Sequence, residues 1–198
     1  MALNSKKFDE LIIGCQKCPR LVEYASETRL NKRKDGFEID DYWCKPVPSF
    51  GNLEAHVLII GLAPGRHGAG RTGRPFTGDY AGEVLYRALH ESGFSSSKEA
   101  VSIDDGLELD GVRIANAVRC APPQNKPLQE EILNCRPYLI QEIEMMGNLK
   151  FVLALGNLAH KQLISSMKLR QTDFKFGHET IEEHTSELQS RTNLDRKS

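Results

Sequence analysis

Four cysteines offer the first chemistry. Cys15 and Cys18 form a C-x-x-C pair followed by Pro19, and Cys120 and Cys135 form a wider pair far along the chain. The short pair can place two thiolates on one metal, with Pro19 stiffening the turn. A second pair gathered by a strand-to-helix turn would complete a four-thiolate site, suited to an iron–sulfur cluster or a structural Zn²⁺. Free cysteine is also often buried, so Cys120 and Cys135 read equally as core residues. Spacing alone leaves both readings open. Cys44, the fifth, reads as a spare thiol.

The second candidate is the glycine-rich loop of residues 61–79, which opens Gly61-Leu62-Ala63-Pro64-Gly65-Arg66-His67 and ends Arg74-Pro75-Phe76-Thr77-Gly78-Asp79. It lacks the Gly-Lys-Ser/Thr of a Walker A loop and the Gly-x-Gly-x-x-Gly of a dinucleotide fold. It offers close backbone approach, free N–H donors and three arginines, Arg66, Arg71 and Arg74. No acid occurs between Glu54 and Asp79, nor between Gly111 and Gln129, a window holding Arg113, Arg119 and Lys126. One cationic, glycine-rich face on a neutral protein suits a phosphodiester backbone; the alternative is an ordinary solvated loop. Phe76 could anchor the core or stack on a base. Asn116 could read a base edge with its amide or cap a neighbouring loop.

These residues need a frame. The run His56-Val57-Leu58-Ile59-Ile60-Gly61 predicts a strand buried on both faces, and residues 112–118 and 151–156 predict two more. Ala81, Val84, Leu85, Ala88 and Leu89 recur at helical spacing, with Gly93 as the stop. Leu128, Ile132, Cys135, Leu139, Ile143 and Met146 mark a long helix, and a further helix is expected near residues 158–167. The first third reads as irregular, with two prolines blocking helix at Pro46 and Pro48. Strand, loop and helix recur three times, which predicts an α/β fold with a mainly parallel sheet and helices on its faces. Ligands of such sheets bind at the carboxyl ends of the strands, where both acid-free windows begin.

Composition sets the bounds. At 198 residues and 22.2 kDa the chain fits one domain, or one domain with a tail. Lys+Arg number 26 against 27 Asp+Glu, so net charge selects no partner. A hydrophobic fraction of 39% excludes disorder throughout, and a mean hydropathy of −0.43 with no long apolar run excludes a transmembrane helix. The charged N-terminus is no secretory signal, so a reducing cytoplasm is expected and the cysteines are not a disulfide framework. Residues 182–198 carry only Leu188 and Leu194 as apolar side chains. They also resemble a translated sequencing adapter, so a single domain over residues 1–181 with a disordered, non-native tail is expected.

Taken in order, the pieces resemble the uracil-DNA glycosylase superfamily in its iron–sulfur branch. They are Cys15-x2-Cys18-Pro19-Arg20, Pro46-Val47-Pro48-Ser49-Phe50-Gly51, the 61–79 loop, Asn116-Ala117-Val118-Arg119-Cys120-Ala121-Pro122-Pro123, Cys135-Arg136-Pro137-Tyr138-Leu139 and Phe174-x-Phe176-Gly177-His178. Gly61-Leu62-Ala63-Pro64 looks like the type 5 branch, since type 4 has glutamate where Leu62 stands. The resemblance implies a three-layer αβα sandwich around a mainly parallel four-stranded sheet, whose last strand this chain can lack. It implies a 4Fe-4S cluster held by Cys15, Cys18, Cys120 and Cys135, and hydrolysis of the N-glycosidic bond of deoxyuridine in DNA. Phe76 would stack on the flipped uracil and Asn116 would read its amide edge. The backbone of Gly61, Leu62, Ala63, Pro64 and Gly65 would surround the base and stabilise its developing anion. Asp79 and His67 are candidates for polar assistance, and Arg66, Arg71, Arg74, Arg119 and Lys126 for DNA contact. The partner is uracil-containing DNA, the expected state is a monomer, and other deaminated bases are plausible substrates.

One motif departs from the family. The His-Pro-Ser that should follow Phe-Gly-His is absent, since no His-Pro occurs in the chain. The expectation is a truncated form, weak or inactive as it stands. A non-catalytic, metal-stabilised DNA-binding module is the alternative function, and a Zn²⁺-stabilised nucleotide-binding domain a third.

Overall fold

The computed structural model describes residues 4–31 and 33–177. Three strands lie in the predicted places: β1 (Val57–Gly61), β2 (Val112–Asn116) and β3 (Phe151–Ala154). They form one parallel sheet in the order β2-β1-β3. β1 is central and almost wholly buried, which explains its unbroken run of β-branched and aliphatic residues. The expected fourth strand is not among the described residues, and both the 182–198 tail and His178 lie outside them.

Helices cover both faces. Leu58 and Ile60 point to one side, packing with Leu139, Met146, Ala159 and Leu163 of α5 (Gln129–Met145), its cap and α6 (Asn157–Ser166). Ile59, Val112 and Ile114 point to the other, against Tyr86 and Leu89 of α4 (Tyr80–Glu91). This alternation along adjacent strands makes three layers. A short α3 (Ala69–Thr72) lies inside the glycine-rich loop. β2's outer edge is partly closed by Phe50, which exchanges backbone hydrogen bonds with Ile114 at 2.9 and 2.7 Å.

Three expectations need correction. The N-terminal third holds two helices, α1 (Ser5–Ile13) and α2 (Pro19–Asn31). Asn4 caps α1 by accepting from the Lys7 N–H, and Phe8 and Ile12 bury one stripe; Pro19 fits the first turn of α2, where its missing N–H costs nothing. The α4 stripe is rotated: Gly82, Leu85, Tyr86 and Leu89 face inward while Ala81, Val84 and Ala88 are exposed. The inward position at 82 must be glycine, because a Cβ there would collide with the Phe76 carbonyl oxygen. Finally, β2 stops at Asn116, two residues short of the expected 118, so Cys120 lies in the loop that follows.

Candidate active site

The parallel register sets Gly61 beside Asn116 at the carboxyl ends of β1 and β2. Asn116 is 3% exposed. A Cβ at Gly61 would stand 2.5 Å from Asn116 Oδ1 and 2.6 Å from Phe76 Cζ. The amide and the ring therefore pack directly on the Gly61 backbone, in space that only glycine yields to them. Past that point the chain continues pairing: Ala117 N–H donates to Gly61 O at 2.9 Å and Val118 N–H to Leu62 O at 2.8 Å. Ala63 packs against the cluster of Leu21, Val118, Ile132 and Cys135, and Pro64 is buried, so the first turn of the loop is seated on the core.

Phe76 adopts φ 54°, a left-handed conformation uncommon for a bulky residue. Its neighbours fix it. Tyr86 Oη donates to Pro75 O at 2.8 Å, and Thr72 Oγ1 donates to Thr77 O at 3.1 Å. Burial pushes the Tyr86 hydroxyl up to about 12, so it remains a donor at all ordinary pH.

An open cleft of about 480 Å³ adjoins the loop, lined by Gly65, Arg66, His67, Asp79, Tyr80 and Gln124 among others. Asp79 caps α4, its Oδ1 accepting from Gly82 N–H at 2.9 Å, while Oδ2 packs against Gly65 and Gly68. Gly68 is needed for that close seat, since a Cβ there would stand 2.4 Å from Oδ2. His67 Nδ1 lies 3.0 Å from Tyr42 Oη. Burial, then the charges of Arg66, Lys34 and Arg71, hold its pKa below the ordinary 6.5, so the ring is neutral at pH 7. Both candidates for polar assistance thus face the cleft.

The cationic candidates divide. Lys126 is exposed, and Arg66 lines the cleft with its guanidinium 4.8 Å from the Tyr24 ring centroid. Arg71, Arg74 and Arg119 do not fit the expected phosphate contacts, because their guanidinium groups are committed inside the protein. Arg71 pairs with Asp40 at 2.6 Å, and Arg74, 2% exposed, pairs with Asp105. Arg119, 1% exposed, pairs with Glu142 at 2.5 Å and donates to Ser49 Oγ at 2.6 Å. Arg113 takes the other Glu142 oxygen at 2.7 Å and also bonds Gly51 O. Glu142, fully buried, is a functional surrogate for nothing on the surface; it joins β2, the loop after it and α5. Sequence reasoning missed Glu142 and Asp105, and the only signal was a carboxylate placed on the apolar stripe of α5.

The four cysteines line one small cavity with Pro46, Asn134 and Tyr138. Cys15 and Cys18 flank the turn between α1 and α2, Cys120 lies in the loop after β2, and Cys135 is on α5. Arg119 N–H points to Cys135 Sγ at 3.4 Å, and Asn134 Nδ2 to Cys18 Sγ at 3.7 Å. Burial raises the Cys18, Cys120 and Cys135 thiols, and the proximity of the other thiols raises Cys120 and Cys135 further. The raised thiols of Cys18, Cys120 and Cys135 need cationic compensation to ionise, which a bound metal would supply. Among the described residues, no three His, Cys, Asp or Glu side chains are gathered as a single ion requires. Cys44 lines a separate, wider pocket that also reaches Cys15 and Cys120.

The described residues thus form a three-layer α/β domain in which Asn116 and Phe76 meet at the carboxyl end of β1 and four cysteines line a nearby cavity. The uracil DNA glycosylase superfamily model matches residues 48–195. The type-5 uracil-DNA glycosylase of Thermus thermophilus is 43% identical over 176 residues, covering 89% of this chain and 79% of the relative. That of Pyrobaculum aerophilum is 42% identical over 170 residues, 86% and 74% of the two chains. The type-4 enzyme of the same archaeon is 32% identical over 169 residues, 85% and 68% of the two chains. The chain belongs to the uracil DNA glycosylase superfamily, in its type-5 branch.

Proposed function

We propose that the protein removes uracil from DNA by hydrolysing the bond between base and deoxyribose. The observation that carries this reading is the convergence of Asn116 Oδ1 and the Phe76 ring on Gly61. A flipped base entering there would lie against the ring, with the Asn116 amide offering a donor and an acceptor to its edge. Cytosine presents the opposite pattern at position 4 and would leave the buried amide mispaired.

As the glycosidic bond breaks, negative charge grows on uracil and positive charge on the sugar. Preorganised donors around the 61–65 turn stabilise the first; the Asp79 carboxylate at the cleft floor stabilises the second and can orient a water. Leu62 cannot activate water. Neutral His67 can donate or accept at the cleft without adding charge. Arg66 and Lys126 supply the phosphate contacts.

Cys15, Cys18, Cys120 and Cys135 would hold a 4Fe-4S cluster, which supplies a thiolate-bound cross-link between the N-terminal helices, the loop after β2 and α5. Their common cavity supports this. Residues 1–181 act as one domain in this reading, and the protein acts as a monomer.

The test is release of uracil from a labelled oligonucleotide, read by alkaline cleavage of the abasic product. The assay runs under single-turnover conditions with excess protein, so that slow release is still read. Release that Asn116→Ala abolishes is the expected result. Binding of the oligonucleotide with no release, even with the wild-type chain, would instead favour the non-catalytic module.

A further inference from the structure

Arg74 sits two residues before Phe76 and makes no contact expected of a DNA-binding arginine. Its Nη1 and Nη2 donate to both oxygens of Asp105, at 2.8 and 2.5 Å, and its Nε donates to Thr77 Oγ1 at 2.9 Å. The guanidinium lies between the rings of Phe50 and Tyr86, 4.8 and 5.8 Å from their centroids. Asp105 also accepts from the backbone N–H groups of Val101, Ser102 and Leu107 at 2.9, 3.2 and 3.0 Å. One carboxylate therefore organises its own loop and pins the residues on both sides of Phe76.

That placement matters because of the Phe76 backbone. A bulky residue at φ 54° persists only where the surrounding structure over-determines it. Phe76 itself has no hydrogen-bonding side chain to lock its ring. The constraint comes from residues 74, 75 and 77, and the bidentate Arg74–Asp105 pair is the one that fixes direction as well as distance. Released, the segment can relax to negative φ, and the ring leaves Gly61.

We propose that Asp105 is a positioning residue that acts through Arg74 to set Phe76 as the stacking plate for the flipped base, so that the 95–109 segment tunes base selectivity. The inference rests on the uracil reading above. Asp105 needs no proton exchange in this role: although burial opposes it, Arg74 and the three N–H donors hold its carboxyl well below the usual range, so it is ionised throughout the working pH.

The test compares the affinities of the wild-type chain for a duplex with one non-hydrolysable 2′-fluoro-deoxyuridine and for the same duplex with thymidine. Asp105→Asn should cut this preference about tenfold, within the worth of one base–aromatic stack, while thymidine-duplex affinity stays within about twofold. Asp105→Glu should restore part of it. Leu107→Ala, which loosens the same segment from the core, is the control for stability alone: at an equal loss of melting temperature it should keep the preference. Where Asp105→Asn does not fold, Arg74→Lys replaces it, since a lysine cannot bond both carboxylate oxygens and Thr77 together. A second readout needs no DNA: the ¹⁹F resonance of fluoro-labelled Phe76 should move in Asp105→Asn and stay in Leu107→Ala. A wild-type preference that survives Asp105→Asn, or an equal loss in Leu107→Ala, overturns the positioning role alone. A wild-type chain with no preference overturns the uracil reading and this role with it.

Discussion

Asn116 and Gly61 are register partners on neighbouring parallel strands, and the amide oxygen of the first occupies the space that a side chain on the second would take. Gly61→Ala should therefore displace either the Asn116 amide or the Phe76 ring. A shift of about 1 Å at a reacting centre can cost about 10²-fold in rate, and a loss of that order in single-turnover uracil release is expected. Melting temperature measured on the same sample separates this effect from unfolding.

Asn116→Asp keeps the shape but removes the donor. Excision should fall by about 10²–10³, as for loss of one preorganised donor, with the affinity for duplex DNA nearly unchanged, because phosphate contacts lie elsewhere. A fall in affinity matching the fall in rate would show that Asn116 acts in binding only.

Glu142 lies buried between Arg113 and Arg119. Removing it strands two guanidinium groups, so Glu142→Ala should cost about 3–5 kcal/mol in urea unfolding. Despite complete burial, the two arginines hold the Glu142 carboxyl below its ordinary 4.5. A carboxyl lowered by folding stabilises above its unfolded pKa, and the benefit fades as pH falls from 4.5 through the lower folded value. Asp9 has the opposite sign: burial raises its carboxyl above 3.8, so its contribution is greatest below that pH and is lost as pH rises. Glu142→Gln should flatten the acid limb of the stability profile, and Asp9→Asn should raise the neutral plateau.

Anaerobically purified protein should contain about four irons per chain and show a broad visible band. Cys135→Ser should lose both, whereas Cys44→Ser should keep them. One zinc per chain in the wild type would replace the cluster by a single-ion site.

Arg66→Ala and Lys126→Ala should weaken DNA binding at low salt, each reducing the log–log salt slope by about 1. Any weakening from Arg74→Ala or Arg119→Ala should instead follow a fall in melting temperature, since both guanidinium groups are internal.

The strands were legible because burial on both faces writes itself as continuous aliphatic runs, and Cys135, Ile132 and Leu139 marked the inner face of α5. The arginines were misread for a definite reason. A window free of acids reports only sequence neighbours, while the carboxylates that neutralise Arg71, Arg74 and Arg119 come from 31, 31 and 23 residues away. The α4 face was misjudged because its inward position beside Phe76 demands Gly82, which no hydrophobic pattern marks. Helices α1 and α2 were missed because each buries only two side chains among many charged ones. Phe76 and Asn116 drew notice as an odd aromatic and an odd amide, yet their meeting at Gly61 needed the strand register.

The two pairs of the thiol set are far apart in the chain, and Cys135 follows Cys18 by 117 positions. At synthesis rates of about 5–20 residues per second, the first pair leaves the ribosome some 6–23 s before the last cysteine can join it. Throughout that interval Cys15 and Cys18 are a dithiol without their partners, open to stray metals and oxidants. If the four cysteines hold the proposed cluster, the yield of loaded protein should depend on how fast translation runs through the sheet, and slow codons between β1 and α5 should lower it.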